Sequence, residues 1–228
     1  MLRLINYYAK NNLFAPRSMW MYFSIFAACA GVLLYSLPQS DVLLLGALGI
    51  RFDIYPRVFF ICGTSVLTAS IISTAFHGIH AAPRNSGYVL HYSRLSTASI
   101  VTASVFFIML QSTVLTSFTI GPVYTAAALS GIPMQKVYAA VVFIFSLSVL
   151  CGLAALLVTH LPSSIRGGIH ISLWVGACMY IYAVVSEADF PDLLMLFLIA
   201  HAGLIIGLSA AVFLLSTTAR RRIVHERN

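Results

Sequence analysis

Six long apolar runs, separated by short polar stretches, make up most of this chain. At roughly 20 helical residues per bilayer crossing, they predict spans over 18–37, 56–76, 97–118, 137–159, 169–185 and 193–217. Trp20 and Tyr22 open the first run and Tyr35 closes it, the aromatic bracketing of two membrane interfaces, and Pro38 ends it. Ahead of it, residues 1–17 set Leu4, Ile5, Tyr8 and Phe14 among Arg3, Lys10 and Arg17. That mixture predicts an amphipathic helix lying in the interface, with its cations kept wet. The apolar piece from Val42 to Ile50 is too short to cross and is flanked by Asp41, Arg51 and Asp53, so 39–55 reads as a connection. Pro56 then opens the second span at a first-turn position, where its missing N–H costs nothing.

The polar interruptions differ in kind. The longest, 77–96, carries Arg84, Arg94, His77, His80 and His91 but no acid, and its middle can form a short amphipathic helix flat on the membrane. Residues 119–136 hold Gly121, Pro122, Gly131 and Pro133 and predict a turning connection. A second polar turn covers 160–168, with His160 and Arg166, and a tight acidic one covers 186–192, with Glu187, Asp189 and Asp192. Arg220, Arg221 and Arg222 mark a basic tail over 218–228.

Composition turns this pattern into a class. With 60% hydrophobic residues and 8% charged, at a mean hydropathy of +0.95, the chain has more apolar surface than a soluble globule of this size could bury, so its solvent is lipid. The expected fold is an all-α integral membrane protein with six transmembrane helices and no separate soluble domain, and no nucleic-acid partner is expected. No cleavable signal peptide is apparent, since the first apolar run is a full-length span. Cys29, Cys62, Cys151 and Cys178 all fall in apolar runs without metal-ligand spacing and read as small hydrophobes. With the N-terminus inside, ten cations fall in inner segments and Arg51, Arg57 and Lys136 in outer ones. This positive-inside bias places both termini in the cytoplasm of a cell carrying the protein in its plasma membrane. No acid lies at the centre of a span, which argues against a pump built on a buried carboxylate relay.

Polar residues inside the spans are the next candidates. Span 3 puts Ser99, Thr102, Thr113, Thr116 and Ser117 on one helical face and Thr97, Ser104 and Gln111 on another. Two polar faces predict a helix held inside the bundle, its hydroxyls serving as helix contacts or lining a path. In span 6, Gly203, Gly207 and Ala211 repeat every four residues and predict close approach of another helix. His201 lies near the middle of the same span, where an ionisable group is either functional or a polar packing element; a hydrogen bond to a span 3 hydroxyl is expected.

An interfacial N-terminal helix, six spans with both ends inside, and the longest inner loop between spans 2 and 3 together resemble the permease subunit of ABC-2 type (type V) ABC exporters. In that family the loop after span 2 commonly has a glycine followed by an amphipathic turn and contacts the ATPase. Gly87-Tyr88-Val89-Leu90-His91-Tyr92-Ser93-Arg94 is similar in position and pattern, although Pro83-Arg84-Asn85 stands ahead of the glycine and the turn between spans 5 and 6 is short. The resemblance implies a separate ATP-binding subunit, which would carry the ATP and Mg, and a second permease copy or similar subunit. It also implies coupling contacts at Arg84, Gly87, Tyr88, Leu90, Tyr92 and Arg94, with Arg166 in the second inner loop. The sequence has no Walker-type phosphate loop, so this chain is expected to carry no cofactor and no catalysis of its own.

A rival reading is a membrane anchor of a redox complex holding haem b between two histidines at one depth. His77 ends span 2, His160 ends span 4 and His170 begins span 5, all towards the cytoplasmic side, so His77 with His160 or His170 is a conceivable ligand pair. Each is equally at home as an amphipathic interfacial residue. A small intramembrane structural or immunity protein working without ATP is a third reading.

Overall fold

A computed structural model describes residues 54–81, 96–186 and 190–225. Among these residues the structure is all helical: α1 (Ile54–Ala81), α2 (Thr97–Leu129), α3 (Met134–Val158), α4 (Ser163–Ser186) and α5 (Phe190–His225). All five helices are long and apolar enough to cross a membrane, as an all-α membrane protein requires. They correspond to predicted spans 2 to 6. The predicted span 18–37 and the interfacial helix over 1–17 lie outside the described residues.

Helix ends follow local chemistry. Ser96 caps α2, its Oγ accepting from the Ser99 N–H at 3.2 Å, which satisfies one of the four free donors of a helix start. At the other end the Gly131 N–H donates to Ala128 O at 3.3 Å and the Ile132 N–H to Ala127 O at 2.8 Å. This is a Schellman closure, and it needs the left-handed backbone that Gly131 supplies at φ 66°. Pro133, whose missing N–H is no loss there, starts α3. Thr159 closes α3 through its Oγ1 to Leu156 O at 2.6 Å.

Three predicted boundaries are corrected. The segment 119–136 does not turn throughout: α2 runs on to Leu129 with Pro122 inside it, and the connection shrinks to 130–133. Its 33 residues rise about 50 Å against a bilayer core of about 30 Å. The turn expected over 160–168 is confined to 159–162, so Arg166 stands in the first turns of α4. The start of the 77–96 loop is helical as far as Ala81. The described part of the expected basic tail, as far as His225, is helical and continuous with α5.

α3 is the central element and packs on all four other helices, while α1 also packs on α2 and α4, and α2 on α5. Phe143 of α3 is fully buried and forms the aromatic hub, with ring centroids 6.3 Å from Phe59, 5.6 Å from Tyr180 and 5.8 Å from Phe197. Tyr55 of α1 ties the ends of two neighbours by donating to Lys136 O at 2.9 Å. Trp174 of α4 does the same lower down, its Nε1–H donating to Thr68 Oγ1 at 2.8 Å. α4 and α5 are the peripheral members: only 17% and 11% of their most apolar windows are buried, against 50–67% for the other three helices.

Candidate functional site

The interior of the bundle is not uniformly apolar. At mid-helix level α1 contributes Ser70, Ser73 and Thr74, α2 contributes Gln111 and Ser112, and α3 contributes Ser148, all buried. Ser70 Oγ donates to Ser148 O at 2.9 Å, Ser148 Oγ to Ser112 Oγ at 3.0 Å, and Ser73 Oγ to Gln111 Oε1 at 3.1 Å. These bonds stitch three helices together through side chains that lipid could not satisfy. Gly152 makes the seam possible. A Cβ there would stand 2.7 Å from Ile108 Cγ2, 3.2 Å from Ser70 Oγ and 3.4 Å from Thr74 Oγ1, so the α3 backbone lies directly against its neighbours. Three side-chain atoms in this region have no hydrogen-bond partner in the protein: Thr74 Oγ1, Gln111 Nε2 and Thr116 Oγ1.

A second polar group surrounds His201. Its ring is 2% exposed and lies 5.5 Å from the Phe143 ring and 5.7 Å from the Tyr180 ring. Nδ1 is 2.8 Å from Ser146 Oγ and Nε2 is 3.2 Å from Tyr180 Oη, while Ser146 Oγ is also 2.9 Å from Phe143 O. One proton assignment satisfies every atom. Tyr180 donates to Nε2, Nδ1–H donates to Ser146 Oγ, and the Ser146 hydroxyl donates to Phe143 O. The expected hydrogen-bond partner on span 3 is therefore corrected: the hydroxyls come from spans 4 and 5, Ser146 and Tyr180 occupying both ring nitrogens. A serine within hydrogen-bond distance of a histidine also has the outline of a nucleophile and its base. Here Ser146 sits in mid-helix, where its neighbouring N–H groups are spent on the helix itself and none is free to stabilise an oxyanion. The group reads as polar packing that joins α3, α4 and α5.

The remaining predicted residues are scattered. Arg84, Gly87, Tyr88, Leu90, Tyr92 and Arg94 lie outside the described residues. Arg166 donates from Nη2 to Leu161 O at 2.8 Å, closing the α3–α4 turn. His160 is engaged at both nitrogens, Nδ1 with Leu156 O and Nε2 with Ser216 Oγ, each at 3.2 Å, whereas His170 Nε2 has no protein partner. Among the described residues no group of three or more His, Cys, Asp or Glu side chains could hold a metal ion. Cys62 and Cys151 are buried and Cys178 is half-buried.

The hydroxyl faces of span 3 are also redrawn. Thr102 and Thr113 are exposed, and Thr113 Oγ1 turns back to Met109 O at 2.9 Å. Ser104 and Gln111 face the interior, and Thr116 joins them because it lies about 40° round from Thr102 towards the buried arc. Among the described residues nothing lies within 4 Å of a Cβ at Gly203 or Gly207, so the partner expected for that stripe is not one of the helices α1–α4. Ser70, Ser73, Thr74, Ser112, Ser146, Ser148, Gly152 and Tyr180 escaped the sequence reading. Their signal was helical spacing: Ser70 with Thr74 and Ser148 with Gly152 are four apart, which places each pair on one face. No protein-family model, no curated protein and no solved structure matches this chain.

Proposed function

We propose that the chain is the membrane subunit of an ATP-driven ABC exporter of the ABC-2 type, working in the cell membrane beside a separate ATP-binding subunit and a second copy of itself or a similar subunit. The supporting observation is the position of the one long, acid-free, cationic interruption, 77–96, between two helices long enough to cross a bilayer, α1 and α2. An element so placed can pass a push from a soluble partner into two spans at once. Five crossings put the stretch before α1 and the tail after α5 on opposite sides. The predicted span 18–37 restores both termini to the cytoplasm, in agreement with the cation bias. ATP and Mg belong to the partner. Of the two ligand pairs the haem b alternative offers, His77 with His160 is disfavoured because both ring nitrogens of His160 already have protein partners. His77 with His170, whose Nε2 has none, is the pair a Soret band would point to.

The test is to purify the tagged subunit in mild detergent, identify what accompanies it by mass spectrometry, and measure Mg-dependent ATP hydrolysis. The double change Tyr88→Ala and Tyr92→Ala should release the ATPase or uncouple its hydrolysis while the subunit stays inserted, since buried aromatics dominate such contacts. Equal recovery and equal hydrolysis in the two proteins, or a Soret band in the wild type, would refute the reading.

A further inference from the structure

We infer that the seam between α1, α2 and α3 is a hydration site, in which water held inside the bundle takes a hydrogen bond from Gln111 Nε2 and pairs with Thr74 Oγ1. Both side chains are fully buried and both atoms lack a protein partner. Turning the Gln111 amide does not cure this. Ser73 occupies one end of it at 3.1 Å, so whichever way the amide faces, its other end is unpaired. Nor is Thr74 an ordinary helix threonine. Thr64, Thr68, Ser104 and Thr113 each donate back to a carbonyl one turn earlier, at 2.9, 2.7, 3.0 and 2.9 Å. Thr74 makes no such bond and instead has its Oγ1 3.4 Å from the Cβ position of Gly152.

A polar group left dry in hydrocarbon costs several kcal/mol, and two of them in one three-helix seam call for a partner that can serve both. The donor set identifies that partner. With Ser73 donating to Oε1, the unpaired end of the amide is an N–H donor, which a cation cannot satisfy, and no carboxylate lies at the centre of any span to balance a buried positive charge. Water both accepts from an amide and exchanges donor and acceptor roles with a hydroxyl, and buried waters usually make about three such bonds. Thr116 Oγ1, the third unpaired atom, lies five residues or about 7.5 Å further along α2. The site does not depend on what the subunit transports or on which partner drives it.

Water-edited NMR of the full chain, ¹⁵N-labelled at glutamine and held in nanodiscs, reads the site directly. Of the three glutamines, Gln39, Gln111 and Gln135, the Gln111 side-chain signal is assigned by its loss in Gln111→Leu, or by exclusion with Gln39→Asn and Gln135→Asn should that variant not fold. The expected result is magnetisation transfer from water to the Gln111 amide protons, reduced several-fold in Thr74→Val. Absence of transfer in the wild type would overturn the assignment. The sign of the thermal shift is a second arm: losing a water-bridged hydroxyl in Thr74→Val lowers the midpoint, whereas removing a dry, unpaired one raises it and would overturn the assignment too. So would a wild-type midpoint that climbs with sodium or potassium but not with choline at equal ionic strength, since that would mark a cation.

Discussion

Gly152→Ala and Gly207→Ala make the same chemical change on helix interiors and should give results of opposite sign. Alanine is favoured over glycine in a helix by up to about 1 kcal/mol. At Gly207 nothing among the described residues lies within 4 Å of the new methyl, so against these helices that term acts alone and the variant should be neutral or slightly more stable. At Gly152 the methyl would stand 2.7 Å from Ile108 Cγ2 and 3.2 Å from Ser70 Oγ. Isoleucine is β-branched and holds one strongly preferred χ1 in a helix, so its methyl cannot swing aside, and overpacking of this kind costs about 1–3 kcal/mol. Shifting Ser70 also strains its bond to Ser148 O. The two variants should therefore differ by about 1–3 kcal/mol, or about 2–12 °C for a chain of this size. A thiol-reactive fluorogenic dye suits the measurement, because Cys62 and Cys151 are buried and react only as the bundle opens. A Gly152→Ala midpoint equal to or above that of Gly207→Ala would show that α3 does not lie against α1 and α2 as described.

Tyr180→Phe keeps the ring against Phe143 and Phe197 but leaves His201 Nε2 without its donor, which should cost about 1–3 kcal/mol in the same dye assay. In a His201→Leu background the same change should cost almost nothing, and an equal loss in both backgrounds would show that the two residues are not coupled. Cysteine reporters at residues 85 and 164 should be shielded from an impermeant reagent in intact cells and one at 189 should react, because cations set orientation; external reaction at 85 would overturn the topology.

What was legible in the sequence was set by the physics of the solvent. A run of 20 apolar residues can do little else than cross a bilayer as a helix, so the five described spans fall where hydropathy puts them. Boundaries were less legible because Gly and Pro keep their turn-forming meaning only where water can take up freed backbone groups. Gly121-Pro122 was read as a break by that logic. Inside a bundle the helix continues through such a pair, here with Pro122 buried and the Thr119 and Thr125 hydroxyls bonded to Thr116 O and Gly121 O, as membrane helices allow. Gly131, three residues before α3, carries the actual stop, because it alone among the described residues adopts a positive φ.

The orientation of each helix was the hardest part to read, for a related reason. A helix that is apolar all round offers no amphipathic stripe, so only its few polar and small residues can show which side is buried, and each of these is ambiguous taken singly. A hydroxyl on a lipid-facing side satisfies itself on its own backbone, as Thr113 does, and a glycine there costs little, as at Gly203 and Gly207. The ambiguity lifts only when neighbouring helices are compared at one depth. Ser70 and Thr74 on α1, Gln111 and Ser112 on α2, and Ser148 and Gly152 on α3 lie on consecutive helices whose hydrogen bonds and close contacts bring these residues level. A small residue opposite two hydroxyls at the same level then predicts contact, where a small-residue stripe facing only aliphatic neighbours does not. The four-residue repeat of Gly203, Gly207 and Ala211, by contrast, has no described neighbour within 4 Å of a Cβ at either glycine. Gly152, which belongs to no repeat, is the glycine through which the bundle closes.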